Sequence, residues 1–358
     1  MTQIDFSDTQ ACAQWRDSYL AHKAAQKLRQ RDAAAAMQVS EAQAVAAFVG
    51  LNVVRLKPDF MGLIAQMPRL GAVMTLTRNE AAVHEKDGVF ETVSAEGHVG
   101  LVLGADIDLR VFHRSWAFAF AVRETSPNGE MKSFQFYDAQ GEAVFKVFLR
   151  AHSDHAAFDA IATEWADGEQ SAVLALKPAQ PAPLPRADKD IDVAGFHAAW
   201  DVMKDTHEFF PLLRKFGLTR TQALRLAEPR YVTRLADDVT EALLVEAARA
   251  QIPIMVFVGN AGMIQIHTGE VTNIRTMGNW VNVLDERFNL HLRADLVASA
   301  WLVRKPTVDG IVTSVELFDA QGENIAMLFG ARKPGAPELA SWRDLAGALP
   351  PHAALAIA

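Results

Sequence analysis

This sequence has only one cysteine, no long apolar run and no excess of positive charge, and each of these features excludes something. Cys12 is the single cysteine among 358 residues, which rules out an intramolecular disulfide and fits a reducing compartment. No apolar run approaches the roughly 20 residues that span a bilayer, so membrane insertion is not expected. The N-terminus lacks the basic and then apolar segments of a secretory signal. The sequence therefore predicts a cytoplasmic protein.

Several common functional motifs are also missing. The net charge is −8, with 35 basic against 43 acidic residues, which does not favour binding to nucleic-acid phosphates. No HExxH or paired CxxC spacing is present, so a structural or hydrolytic zinc site is not supported. The GxGxxG, P-loop and GxSxG motifs are absent as well. No specific nucleic acid is therefore expected as a partner.

An internal duplication is the clearest positive feature of the sequence. YDAQGE at 137–142 returns as FDAQGE at 318–323, 181 positions later. The same offset relates further pairs, among them Met74 and Met255, Asn79 and Asn260, and Gly88 and Gly269. This period is far longer than the roughly 20–50 residues of solenoid repeats. The hexamer itself reads as a hairpin turn between two strands. We expect two similar halves.

Composition alternates between helical and extended segments, twice. Residues 8–38 and 154–175 favour helix, and the stretch between them consists of short apolar runs separated by Gly, Asn and Asp, typical of antiparallel strands. The second half repeats this order, with helices from 191 to about 250 followed by strands. The fold class is therefore α+β, with two tandem similar halves, each a large antiparallel β-sheet with helices. The predicted domains are 1–175 and 191–358, joined by a Pro-rich linker at 176–190.

His207 occupies an unusual position in the second half. Phe196, Trp200, Met203, His207 and Phe210 follow helical spacing, which predicts that the histidine lies on an apolar helix face. The next residue after that stripe is a proline, which should end the helix and leave His207 in its last turn. There it can be a buried core histidine or a cap for the terminal carbonyl groups, or it can offer one ring nitrogen to a ligand.

Basic residues in the predicted sheets suggest a second component of a binding site. Arg110 and Phe112 lie in DLRVF, Lys305 lies in VRKPTVDG, and Arg332 follows the last strand. Taken singly, each cation is interpreted as a surface residue. Together with an apolar helix that carries a histidine, they would suit a flat, apolar, dianionic ligand.

Three segments resemble a known family: DTHEFFPLLRKFGLTRTQALRL, FNLHLRADLVASAWLVRKPTVDGIVTSVELFDA and LFGARKPG. They are similar to the bacterial cytoplasmic HemS-type haemin-degrading or haem-trafficking proteins. NEAAVHE, HVGLVLGADIDLRVF and the YDAQGE hairpin extend the resemblance into the first half. It covers the chain from about 20 to 335. The resemblance implies haem b as substrate or cargo, bound in a cleft between helix and sheet.

The resemblance also implies roles for residues on the two faces of the haem. His207 matches the proximal histidine that ligates haem iron. Arg110 matches an arginine over the distal face, a candidate catalytic residue, and Phe112 matches an aromatic residue in contact with the porphyrin. Arginine stays protonated at physiological pH, so Arg110 would be a permanent hydrogen-bond donor.

Four further residues are implied at the edge of the haem or beyond it. Lys305 and Arg332 match residues that hold the propionates, and arginine offers bidentate hydrogen bonds to carboxylates. Phe329 stands where some relatives have tyrosine, so a phenolic hydrogen bond is lost there. His84 matches a histidine linked in some members to a second haem site or to alternate ligation of the iron.

Two main functions follow from this resemblance. The first is an enzyme that takes up imported haem and degrades it with O₂ and an external electron donor, releasing iron. The second is a non-catalytic carrier that delivers haem to a separate haem oxygenase. An inner-membrane haem importer and a haem oxygenase or reductase are the implied partners. A regulatory role, or binding of another apolar acid, is left as a weaker alternative.

Overall fold

The structure of this chain is a computed structural model that describes residues 4–97, 99–126, 129–179, 184–333 and 335–353. Within these ranges the α-helices are α1 Thr9–Ala25, α2 Gln30–Ala36, α3 Glu41–Ala46, α4 Phe60–Ile64, α5 His155–Glu164, α6 Val193–Asp201, α7 Phe209–Phe216, α8 Arg220–Leu226, α9 Val239–Arg249 and α10 Ala340–Gly347.

The strands follow the same chain order. They are β1 Val53–Arg55, β2 Ala72–Arg78, β3 Ala82–Val89, β4 Thr92–Glu96, β5 Val99–Leu103, β6 Asp108–Val111, β7 Trp116–Ser126, β8 Gly129–Asp138, β9 Ala143–Leu149, β10 Val232–Leu235, β11 Ile254–Gly259, β12 Met263–Gly269, β13 Ile274–Met277, β14 Trp280–Leu284, β15 Phe288–Arg293, β16 Ser299–Thr307, β17 Gly310–Phe318 and β18 Asn324–Gly330.

Two predicted helices are shorter than the composition suggests. The segment 8–38 forms two helices, because Lys27 adopts a positive φ of 51° that no α-helix continues through. The segment 154–175 is helical only in α5.

The chain divides into two compact units. Unit 1 comprises Met1–Arg78, Glu85–Gln180 and Asn260–Gln265, and unit 2 comprises Asn79–His84, Pro181–Gly259 and Ile266–Ala358. The domain boundaries predicted from the sequence stay a prediction. Residues 180–183 of the predicted linker lie outside the described ranges.

Unit 1 contains five antiparallel strands in the order β1-β7-β8-β9-β2 and a three-stranded group, β4-β5-β6. The core beneath these strands includes the aromatic residues Phe134, Phe136 and Phe145 with Phe158 of α5. A second core contains Val45 of α3 with Phe118, Phe120 and Tyr137.

Unit 2 has the same arrangement. Five antiparallel strands lie in the order β10-β16-β17-β18-β11, and a second group is β13-β14-β15. One core packs α9 and α10 against the strands, and another packs α6, α7 and α8 against β10, β16 and β17. Helices with an antiparallel sheet, present twice, confirm the predicted α+β fold with two similar halves.

The repeated hexamer forms the same turn in both units. In unit 1, Oδ1 of Asp138 accepts the backbone N–H groups of Gln140 and Glu142, both at 2.9 Å. Asp319 does the same at the corresponding turn of unit 2. The glycines of the two turns have φ values of 85° and 83°, which favour glycine. The hairpin interpretation of the duplicated hexamer is confirmed, and the residues shared by the two copies form the same turn.

Candidate functional site

His207 lies in a short turn of unit 2 that connects α6 to α7. After α6 the chain is extended at Asp205, and a three-residue 3-10 helix, Thr206–Glu208, then leads directly into α7. The predicted helix that carries the histidine and ends before Pro211 is therefore wrong. Pro211 occupies the first turn of α7, where backbone N–H groups have no partner within a helix. As a result the His207 side chain is 88% exposed and does not lie on an apolar face.

The carboxylate of Asp205 holds both the backbone and the ring of His207. Its Oδ1 accepts the backbone N–H of His207 at 2.8 Å and lies 2.6 Å from ring Nδ1. The pKa of Asp205 is lowered, and the backbone hydrogen bond from His207 is the largest cause. A carboxylate only accepts hydrogen bonds, so in a neutral ring this contact favours the proton on Nδ1. Within the described part of the chain no hydrogen bond involves Nε2, whose lone pair is open to a ligand.

Two further contacts fix this turn. The backbone N–H of Lys204 donates to Oε2 of Glu208 at 3.0 Å, closing the segment across the histidine. The carbonyl of Lys204 accepts the N–H of Val308, at the tip of the β16–β17 hairpin, at 3.0 Å. The imidazole is therefore exposed but mounted on a turn that is braced on both sides.

Lys305 is buried and ion-paired, so its interpretation as a surface cation is wrong. It is 2% exposed, and its Nζ lies 2.7 Å from Oε1 of Glu316 and 4.7 Å from the ring centroid of Phe209. Arg220 donates to both oxygens of the same carboxylate, at 2.7 and 2.8 Å. Because Phe209 follows His207 by two residues, this cluster lies beside the histidine turn.

The charges of the cluster shift one another's pKa values. Burial raises the pKa of Glu316, but Arg220 and Lys305 outweigh it and hold that pKa well below its usual range. Burial lowers the pKa of Lys305 in spite of Glu316, which is shared with Arg220.

Arg332 lies on the same side of unit 2 as the histidine turn. Its Nη1 is 3.6 Å from Oδ2 of Asp309, in the β16–β17 loop, and its charge contributes to the lowered pKa of Asp205. Asp309 also accepts the backbone N–H of Gly335 at 3.0 Å. A cation is thus held close to the carboxylate that binds the His207 ring.

Phe329, on β18, contributes an apolar surface next to β17. It pairs with Ser314 on one side and Met255 on the other, and its ring centroid lies 5.0 Å from that of Phe257. Both phenylalanines are half-buried. Unit 2 therefore contains an open imidazole nitrogen, two predicted cations, of which Lys305 is buried, and a partly open aromatic face.

Comparison with known proteins identifies the family. The sequence model of the haemin-degrading HemS.ChuX domain matches residues 38–165 and again 217–349. The chain belongs to the HemS family. The hemin transport protein HemS of Yersinia enterocolitica is 40% identical over 318 residues, covering 88% of this chain and 90% of that protein.

Solved structures of HemS-family proteins agree over nearly the whole chain. The heme-binding protein PhuS of Pseudomonas aeruginosa, in its holo form, is 46% identical with a TM-score of 0.93, covering 95% of this chain and 99% of that chain. ChuS, described as an E. coli heme oxygenase, is 36% identical with a TM-score of 0.84, covering 92% and 99%. The resemblance drawn from the sequence is confirmed, and so is the internal repeat, since the domain model matches twice.

Arg110 and Phe112, the predicted distal residues of this HemS-family chain, lie in unit 1. Arg110, on β6, forms an ion pair with Asp108, and its Nη1 lies 3.2 Å from the carbonyl oxygen of Leu109. Phe112 follows β6 and is half-buried, and its N–H donates to the carbonyl of Gly262 at 2.9 Å. Their roles stay predictions.

His84 is in the core of unit 2 and is 0% exposed. Its ring lies 4.9 Å from that of Phe288, whose other neighbour is His267 at 3.8 Å in a stacked arrangement. A second haem site at His84 stays a prediction, and it would require this packing to open.

A concave surface of about 470 Å³ in unit 1 contains none of the predicted haem residues. It lies beside the β8–β9 turn and is lined by Arg114, Trp116 and Lys177 among others.

Among the described residues, no helix is long and apolar enough to cross a membrane.

Sequence reasoning missed three residues of the candidate site in unit 2: Asp205, Arg220 and Glu316. Asp205 stands two residues before the histidine, a spacing typical of side-chain caps on turns. The pairing of Arg220 with Glu316 had no local signal, because the partners are 96 positions apart.

Proposed function

We propose that this chain binds one haem b in unit 2, with Nε2 of His207 as the axial ligand of the iron. The observation that carries this proposal is the exposed Nε2 of a ring whose Nδ1 is already bound to Asp205. Neutral imidazole is a usual axial ligand of haem. Described residues hold no cluster of three metal-ligating side chains, which fits a metal that arrives inside a porphyrin.

The edge and face of the porphyrin are assigned to the neighbouring residues of unit 2. We propose Arg332 and Lys305 for the propionates and Phe329 for the porphyrin face. Haem is a large apolar disc with two carboxylates, so it needs both an aromatic surface and cations. Lys305 has Glu316 as its present partner, so its contact with a propionate would require a shared or exchanged ion pair.

For the fate of the haem, we propose uptake of imported haem in the cytoplasm and its oxidative degradation. Bound haem would be opened by O₂ with electrons from an external reductase, giving an open-chain tetrapyrrole and free iron. ChuS, described as a heme oxygenase, supports this proposal. Arg110 is carried as the candidate distal hydrogen-bond donor, since a preorganised donor stabilises developing negative charge.

Carriage without degradation is the second candidate. The names of the two more similar relatives favour it: HemS is a hemin transport protein and PhuS a heme-binding protein. In this case an inner-membrane importer would supply haem, and a separate haem oxygenase would receive it intact.

The axial ligand is tested by titrating haemin into wild-type protein and into His207→Ala, following the Soret band. We expect a strong, shifted Soret band for wild type and a weakened, displaced one for the variant. His152→Ala, which removes an exposed histidine of unit 1, is the matched control and should behave as wild type. An unchanged spectrum and affinity in His207→Ala would remove the proximal assignment.

Enzyme and carrier are separated by aerobic turnover of the haem complex with a reductase and with catalase present. Catalase removes free peroxide, which destroys haem without true catalysis. A tetrapyrrole product formed under these conditions favours degradation. Intact haem that passes rapidly to an added haem oxygenase favours carriage.

A further inference from the structure

The two contacts between Asp205 and His207 affect the orientation and the tautomer of the ring as well as the choice of axial ligand. One oxygen, Oδ1, accepts both the backbone N–H and ring Nδ1–H of His207, at 2.8 and 2.6 Å. The first contact fixes the turn, and the second fixes the rotation of the ring about its side-chain bonds. An exposed histidine without such a contact would sample several rotamers and both neutral tautomers.

Two neighbouring charged residues, Arg332 and Glu208, differ in how they act on this turn. Asp205 is the residue from which the 3-10 turn begins, and the positive charge of Arg332 acts on it. Glu208 braces the same turn from the other end but bonds to the backbone of Lys204 and makes no hydrogen bond to the ring. Of these two carboxylates, Asp205 alone acts on the ring.

We propose that Asp205 is a positioning residue that holds His207 as the Nδ1–H tautomer and strengthens Nε2 as an electron donor to haem iron. This inference rests on the proposed function for its second half, whereas its first half concerns the haem-free protein. A carboxylate bound to the far nitrogen of a metal-ligating histidine fixes the tautomer and raises the basicity of the ligating nitrogen. A more basic imidazole favours ferric over ferrous haem, because axial ligation and its hydrogen bonding tune the reduction potential.

The haem-free arm of the test uses protein labelled with ¹⁵N-histidine, with His207→Ala to assign the signals. We expect His207 in the wild type to carry its proton on Nδ1. In Asp205→Ala the two tautomers should both be populated. A proton on Nε2 in the wild type would overturn the proposal, even if His207 proves to bind haem.

The haem-bound arm compares Asp205→Ala and Asp205→Asn with wild type. Loss of such a partner costs about 10–100-fold in metal affinity, and we expect Asp205→Ala to fall in this range. Asparagine keeps a neutral hydrogen-bond acceptor, so the haem affinity of Asp205→Asn should lie between those of wild type and Asp205→Ala. The Fe–histidine stretching frequency of the ferrous complex should fall in the order Asp, Asn, Ala, while the reduction potential rises.

Glu208→Gln is the matched control, since it weakens the same turn without touching the ring. Its affinity, stretching frequency and potential should stay at wild-type values. An equal shift in the control, or an unchanged stretching frequency in Asp205→Ala, would mean that the carboxylate is structural only and would overturn the proposal. Loss of haem binding in His207→Ala decides the proposed function separately.

Discussion

At the scale of single residues, Glu316 is the shared partner of two cations, Arg220 and Lys305, in the candidate site of unit 2. Its carboxylate accepts bonds from Arg220, from Lys305 and from the hydroxyl of Ser314 at 3.0 Å. All of its neighbours are therefore donors, and two of them are cations. Removing one member of a buried ion pair leaves the other charge uncompensated.

Replacing Glu316 with glutamine should destabilise the protein strongly at neutral pH. Loss of one partner of a buried pair costs about 3–5 kcal/mol, and Lys305 would stay buried without its counter-charge. The folded pKa of Glu316 lies below the value of about 4.3 in unfolded chains. Its stabilising contribution is therefore present above about pH 4.3 and is lost as the pH falls below that value.

Urea unfolding of wild type and Glu316→Gln at several pH values measures this prediction. The difference between their unfolding free energies should be largest near pH 7 and should shrink as the pH falls below 4.3. Glu246→Gln, in an exposed pair with Arg249 on α9, is the control and should change little. A difference that grows towards acid pH would contradict the assigned ion pair.

The burial of Lys305 also shows what residue-level reasoning from sequence cannot supply. Its identity and its place in a strand were available from the letters and the family resemblance. Its exposure depends on the register of β16 with β17, which pairs Val303 with Ser314, and on cover from α7. These contacts join residues that are far apart in the sequence, so the sequence alone suggested that Lys305 is a surface cation.

At the scale of elements, the connection that carries His207 differs most from the expectation. Apolar spacing predicted one helix through the histidine, because three aromatic residues fall on one stripe. In the structure two of them, Phe196 and Trp200, are buried on α6, whereas the third, Phe210, lies on α7 beyond the break and is 64% exposed. The residue of α7 that packs against Trp200, at 4.9 Å, is Phe209, which is not on the predicted stripe. Residues on two separate short helices here follow the spacing of one long helix. Periodicity could not distinguish these cases, although a cap-forming Asp205 was a local signal of the break.

The end of α7 gives a prediction about that element. The helix stops at Gly217, which has a φ of 65°, and the N–H of Leu218 bonds back to the carbonyl of Leu213 at 3.0 Å. A residue with a side chain in this conformation costs roughly 1–2 kcal/mol. In addition, a Cβ there would lie 2.9 Å from Cδ of Arg186. Gly217→Ala should therefore lower the free energy of unfolding by about 1–2 kcal/mol.

Gly347→Ala is the control for this helix end. Gly347 is the last residue of α10, its φ is not in the left-handed region, and nothing lies within 4 Å of the position of an added Cβ. Alanine there should be neutral or slightly stabilising, since glycine is the weaker helix former. Thermal or urea unfolding of the two variants gives the comparison. Equal stability of both would exclude a strained backbone at Gly217.

At the scale of the whole molecule, the duplication was predictable from the sequence, but the set of chain segments that forms each compact unit was not. A constant offset in the sequence is sufficient evidence of two copies. The assignment of 79–84 to unit 2 and of 260–265 to unit 1 has no mark in composition. Asn79 and Asn260, which occupy the same repeat position, each donate to two backbone carbonyls of their own unit. The match of these asparagines was visible in the sequence, but their partners were not.

The two copies carry opposite charges at the positions that matter for a dianionic ligand. Arg220 of unit 2 corresponds to Glu41 in unit 1, and Lys305 corresponds to Glu124. Glu41 is buried and bound to two cations, Lys146 and Arg78, and Glu124 pairs with Lys23 at 3.2 Å. The other polar positions have changed too, since Arg332 corresponds to Ala151 and no histidine occurs among Gln26–Leu28, opposite His207. Each unit thus contains a buried carboxylate bound by two cations, but the charged residues stand at different repeat positions.

We therefore expect one tightly bound haem per chain, held in unit 2. Unit 1 has no histidine opposite His207 to ligate the iron, and it has Glu124 and Ala151 where unit 2 has Lys305 and Arg332 for the propionates. Titration with haemin, kept below the concentration at which it self-associates, should reach its Soret end point at one equivalent. The same titration of His207→Ala should reveal no second tight site. A stoichiometry of two in the wild type, or one full equivalent retained by His207→Ala with wild-type affinity, would contradict a single site in unit 2.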